Sequence, residues 1–171
     1  QAWFKEAEAA FGRAVQALER ISPGEKEAFS ADEYTTAYAL VLGRQAWFKV
    51  RIGQIEQGQT SFRKAIALLP ADAPPFLVLW QHLMFGYTQF IAGNVQEAEQ
   101  HWQQSLRLAR AHDDQWGMTY SLSMLGQLAC AQGDLHKAQQ VLHEALAHGV
   151  EVVDQIIQFE KVDDRVHCNE C

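Results

Sequence analysis

The 171-residue sequence is 48% apolar and 20% charged, a balance that supports a packed core and excludes wholesale disorder. Its net charge of −7 disfavours direct nucleic-acid binding, which calls for a basic surface. No uninterrupted apolar run reaches the roughly 18 residues of a membrane span. Three cysteines, Cys130, Cys168 and Cys171, make no disulfide framework and point to a reducing, cytoplasmic setting.

The chain opens with "AWFKEAEAAFGRAVQAL", whose apolar residues recur at helical spacing. With Gln rather than Met in first place, the start is expected to be a cut or processed end, and residues 1–21 a partial unit. A longer connection is expected around "RISPGEKEAFSAD". Helical periodicity then runs through 34–52 and 55–69, through 76–92 and 95–109, and through 117–131 and 135–147. Each pair is broken by "GQ", "GN" or "GD", where glycine ends a helix in the left-handed conformation. Pro70 closes one helix, and Pro74-Pro75 opens the next, where a missing N–H costs nothing.

These pairs are copies of one another. Gly53, Gly93 and Gly133 are spaced by 40, and Phe62, Trp102 and Leu142 follow each at the same interval. Small residues at 46, 86 and 126 are expected to let paired helices approach against small residues at 58, 98 and 138. Leu135, Leu142 and Leu146 are expected in the core. The array predicts an all-α fold of stacked helical hairpins with units at about 31–70, 73–110 and 115–148. Residues 149–171 depart from the repeat and are read as a capping helix and flexible tail.

Several local motifs imitate chemistry. "GQIEQGQT" (53–60) has the glycine spacing of a phosphate-binding loop, but Gln59 stands where the lysine belongs and a helix rather than a strand precedes it. His143 and His148 are five apart, so they diverge by about 140° on a helix and do not form a zinc pair. Cys130 lacks an activating neighbour and is read as a partly buried, inert thiol. His167, Cys168 and Cys171 provide at most half a metal site. His112, Asp113 and Asp114 sit between units, where an aspartate is expected to cap the next helix. No catalytic residue, metal or cofactor is expected.

The repeated residues resemble the tetratricopeptide repeat. The second unit matches that pattern with Ala46, Gly53, Ile55, Phe62, Ala65 and Pro70, the third with Gly86, Gly93, Val95, Ala98 and Trp102, the fourth with Gly126, Gly133, Leu135, Ala138 and Ala145. Departures are a period of 40 where 34 is usual, Gly58 at an alanine position, and Gln45 and Lys49 at apolar phases. Stretches such as "GRQAWFKVRIG" resemble the sensor arms of bacterial signal-transduction ATPases and LuxR-type transcriptional activators.

The resemblance implies a right-handed solenoid whose concave groove is lined by the first helix of each unit. Its groove phases fall on Leu40, Gly43, Trp47 and Val50, on Trp80, Leu83, Tyr87 and Phe90, and on Tyr120, Ser123, Gln127 and Cys130. The expected binding set is Trp47, Arg51, Trp80, Leu83, Tyr87, Phe90, Tyr120 and Gln127, with Arg44 and Arg51 available to an anion. No Lys/Asn pair stands at the phases that chaperone-tail receptors use. The implied function is a protein or peptide scaffold in a larger bacterial signalling protein. The alternative is a small-molecule effector receptor using the same groove, and the unpaired first helix is expected to offer a route to self-association.

Overall fold

The computed structural model describes residues 2–26 and 28–150. The described residues form helices and turns without a strand. In chain order they are α1 (Ala2–Arg20), α2 (Pro23–Lys26), α3 (Ala31–Arg51), α4 (Ile55–Leu68), α5 (Pro75–Ile91), α6 (Val95–Ala111), α7 (Gln115–Ala131) and a helix α8 over 135–150. The capping helix and tail expected beyond 150 lie outside the described residues, and α8 continues through Gly149 and Val150.

Three tight turns make the hairpins. Gly53, Gly93 and Gly133 have φ of 89°, 83° and 80°, a region a side chain adopts only with strain. Each sits in the same hydrogen-bond pattern: Gly53 N–H donates to Val50 O (3.0 Å) and Gln54 N–H to Lys49 O (2.9 Å). The link between α6 and α7 repeats that pattern without glycine. Asp113 takes φ 52°, and Asp114 N–H donates to Ala109 O at 2.9 Å. Asp114 also caps α7, its carboxylate accepting from Gly117 N–H at 2.8 Å. The longer connection after α1 contains the single turn α2 and ends at Ser30, which forms a reciprocal capping box with Glu33.

Helices α3 and α4, α5 and α6, and α7 and α8 are the paired copies, and α1 stands as the second helix before them. Each second helix packs on the first helix of the next pair, α1 on α3, α4 on α5, α6 on α7, while α3 touches α5 and α5 touches α7. The result is an all-α solenoid.

The small residues do approach their partners, but not always the partners expected. A Cβ on Gly58 would meet Ala46 O at 3.1 Å and a Val50 methyl at 2.5 Å. On Gly86 it would meet Trp102 Nε1 at 2.6 Å, and on Gly126 a Leu142 methyl at 2.5 Å. The glycines of the third and fourth units therefore make room for the large residue on the second helix rather than for Ala98 or Ala138. Trp102 is 1% exposed and its indole N–H donates to Leu83 O (3.1 Å), so the cavity above Gly86 is filled and satisfied.

Polar side chains lock successive units. Gln81 is fully buried, lies over Gly43, and donates from Nε2 to Ala39 O at 2.9 Å. Ser105 and Ser121 share a hydrogen bond of 2.8 Å between α6 and α7. Gln45, at a phase where the family is apolar, is buried because it faces α1, donating to Glu8 at 3.1 Å. Tyr38 ties α1, α3 and α4 by donating to the Glu19 carboxylate and accepting from the Lys64 ammonium.

One core expectation is corrected. Leu135, Leu142 and Leu146 are 71%, 39% and 64% exposed, unlike their equivalents in earlier units. Their counterparts are covered by a following hairpin, and no described residue stacks on α8. At the other end Trp3 is 63% exposed on α1.

Candidate functional site

Because α3, α5 and α7 lie side by side, their outward residues form one continuous face. On α3 the row is Leu40, Arg44, Trp47, Arg51; on α5 it is Trp80, Met84, Tyr87, Ile91; on α7 it is Tyr120, Met124, Gln127. Spacings of four, three and four keep each row on one side of its helix.

The expected binding residues divide on this geometry. Trp47 and Tyr87 are half-buried and in contact across α3 and α5, with ring centroids 5.3 Å apart. Arg51 is exposed, its guanidinium 4.9 Å from the Phe4 ring centroid and 5.7 Å from that of Trp47. Tyr120 and Gln127 are exposed on α7. Leu83 and Phe90 lie off this open row. Leu83 is 2% exposed, and the Phe90 ring packs on Trp102 at 5.7 Å. Gly43 and Val50, at the matching phases of α3, are likewise buried, against Gln81 and under Gly58. The open face is thus rotated from the expected phases toward Arg44 and Arg51.

Between α5 and α7 lies a cleft of about 230 Å³ lined by Phe76, Leu79, Trp80, Leu83, Trp116, Gly117 and Tyr120, with Asp114 at one end. Its walls are two aromatic pairs. Phe76 and Trp80 are nearly parallel, 26° apart at 6.5 Å, and Trp116 stacks on Tyr120 at 4.6 Å and 26°. Leu83 belongs to this site only as the apolar floor. Phe76 (59% exposed) and Trp116 (54%) were absent from the expected set, although each stands one turn before a chosen aromatic and the two are 40 apart. That spacing was the available signal.

Arg44 is half-buried on α3 with its guanidinium 4.5 Å from the Trp80 ring centroid. Burial pushes its pKa below the usual value, though a guanidinium stays charged. A separate titratable pair lies inside the hairpin of α5 and α6. His82 of α5 and His101 of α6 face each other, Nδ1 to Nδ1, at 2.8 Å with ring centroids 5.1 Å apart. That separation is a hydrogen bond in which one ring donates and the other accepts. Desolvation, then His101 and Arg107, push His82 down to about 4, and desolvation also lowers His101.

Other imitations of chemistry have structural settings. Residues 53–60 run from the Gly53 turn into α4, with Gly58 buried. His148 Nδ1 donates to Gln115 Oε1 at 2.6 Å, while His143 is exposed. Cys130 is exposed, contrary to the expected partial burial, because it lies on the solvent side of α7. His167, Cys168 and Cys171 lie outside the described residues. Among the described residues no three His, Cys, Asp or Glu side chains gather as a metal site, and no helix is long and apolar enough to cross a membrane.

The family model for MalT-like TPR regions matches residues 41–153, well over half of the chain. Among solved structures the chain is similar to the crystal structure of BtubC (BKLC) from P. vanneervenii, with a TM-score of 0.65 and 13% sequence identity. That similarity covers 85% of this chain and 56% of BtubC, so the chain spans little more than half the length of its neighbour. At this identity the likeness shows the fold alone. No curated protein matches the sequence.

Proposed function

We propose that this chain, which belongs to the family of MalT-like TPR regions, is a protein-interaction module that takes a peptide or protein segment on its first-helix face. In that reading it is the cytoplasmic sensing or regulatory arm of a larger signalling or transcription-regulatory protein. The observation that carries the reading is the exposed aromatic cleft between α5 and α7. Aromatic side chains joining apolar area to few rotatable bonds dominate binding hot spots. Its exposed walls, Phe76, Trp116 and Tyr120, are not needed to fill the core.

At this cleft, size favours the peptide reading over the effector alternative. Small-molecule sites run from about 300 to 1,000 Å³ and enclose their ligands. A cleft of about 230 Å³, almost wholly apolar, suits one inserted side chain from a larger partner. Selection of a random peptide display library on the protein tests the reading. Enriched peptides that no longer bind Tyr120→Ala support it. Saturable thermal stabilisation by one free metabolite, with no peptide enriched, would replace it with the effector reading.

A further inference from the structure

Four cations on second helices are paired with carboxylates: Arg63 with Glu97, Lys64 with Glu19, Arg110 with Glu144 and Lys137 with Glu99. Lys5, Arg13 and Arg20 on α1 and Arg107 on α6 are in no ion pair, but all four are exposed to water. On the first-helix face Arg44 and Arg51 lie over aromatic rings, and no ion pair among the described residues includes either. The sequence has 21 acidic and 14 basic residues, so carboxylates are not scarce. Arg44 is also the more buried of the two, and a charge withdrawn from water without a carboxylate partner is costly to hold.

Its surroundings show what it can take. The guanidinium lies over the Trp80 ring, and no hydrogen bond or ion pair among the described residues uses its N–H groups, a fork that suits a two-oxygen acceptor. Trp80 is at once the platform for Arg44 and a wall of the aromatic cleft. An anion on Arg44 and an apolar group in the cleft would therefore touch the same ring system. A single guanidinium balances one negative charge, which favours a carboxylate over a phosphate dianion.

We propose that Arg44 is the specificity-determining residue of the face, binding a carboxylate of a peptide whose neighbouring aromatic or large aliphatic side chain enters the cleft between α5 and α7. This rests on the peptide-binding reading above. Recognition then requires both elements together, an acidic group beside an apolar anchor.

The test is parallel selection of a random peptide display library on the full chain and on its Arg44→Gln variant, followed by affinity measurement on synthetic peptides. Wild-type selections should be enriched in Asp or Glu close to Phe, Trp, Tyr or Leu, and the acidic preference should vanish with Arg44→Gln. Replacing the peptide carboxylate by its amide should weaken binding roughly tenfold or more. Arg44→Gln should do the same, and the two changes together should cost little more than either alone. Arg44→Lys should recover only part. Should Arg44→Gln prove poorly folded by circular dichroism, the amide replacement on the wild-type protein decides alone. Enriched peptides without a carboxylate, or unchanged affinity after the amide replacement, overturn the inference while loss of binding in Tyr120→Ala leaves the peptide-binding reading standing. If no peptide is enriched, both fall.

Discussion

Substituting the same repeat position in two units should give clearly unequal results. In Gly86→Ala the new Cβ falls 2.6 Å from Trp102 Nε1 and 2.7 Å from Cδ1. A rigid indole that is 1% exposed cannot swing aside without losing its hydrogen bond to Leu83 O. Overpacking costs about 1–3 kcal/mol, and a stranded buried N–H about 1–3 more. The helix gains about 1 kcal/mol from Gly to Ala. The net loss is about 1–5 kcal/mol, centred near 3, a fall in Tm of about 10 °C for a chain this long. In Gly126→Ala the obstacle is Cδ2 and Cγ of Leu142, a flexible side chain that is 39% exposed and can turn toward solvent. There the helix gain offsets the lost contact, and stability should stay within about 1 kcal/mol of wild type. Thermal and urea unfolding followed by circular dichroism measure both. A double-mutant cycle of Gly86→Ala with Trp102→Leu should show favourable coupling of about 1 kcal/mol or more, because the smaller side chain removes the collision. Equal effects of the two alanines, or no coupling to Trp102, would refute the packing account.

The histidine pair makes stability depend on pH. His82 is held at about 4 and His101 below its ordinary value when folded, and both return to about 6.5 on unfolding. Between those values the unfolded chain binds more protons, so stability is fully present above about pH 6.5 and declines as pH falls toward 4, by roughly 3 kcal/mol from His82. Arg107 adds to the repulsion at His82, while at His101 Glu97 opposes the loss and Arg63 reinforces it. His82→Gln should flatten that part of a urea-midpoint profile against pH; an unaltered slope would show that the pair is not its origin. Two adjacent aspartates should respond with opposite signs. Asp113→Gly relieves a side chain at φ 52° and should stabilise by about 0.5–1 kcal/mol, whereas Asp114→Ala removes the α7 cap and should destabilise by about 1 kcal/mol. Thermal scans of the two variants distinguish them. Trp116→Ala and Tyr120→Ala, both exposed, should leave Tm within about 2–3 °C of wild type yet weaken a selected peptide at least tenfold by fluorescence titration. Trp80→Ala should lower Tm as well, because Trp80 also packs against the core.

How much of the site was legible is clearest from neighbouring residues. Trp80 and Tyr120 could be named from the 40-residue register because a binding face must repeat wherever first helices stack. The same reasoning put Leu83 and Phe90 on the open face, whereas Leu83 is the buried floor of the cleft and Phe90 packs on Trp102. A helix has no sharp border between the side facing its hairpin partner and the side facing solvent, and a phase error of one residue turns a side chain by about 100°. Arg44 stood in view as a charge but not as a lone one, since its lack of a carboxylate depends on where distant glutamates end up. The pairing of His82 with His101 was invisible for a like reason: they sit 19 apart, on separate helices, and only packing brings their rings together.

The sequence by itself determined the helices, their turns and their order of stacking. Those follow from short-range physics: apolar spacing along a helix, glycine at positive φ, proline at a helix start and aspartate or serine at a cap. It also announced the repeat, because each hairpin must offer its neighbour the same shape. Tertiary structure alone decided which residues each small position accommodates, why Leu142 is exposed where Trp102 is buried, and which aromatics remain open. These depend on the fractional rotation of one helix against another and on whether a further unit covers the surface, and residues far apart in the chain set both.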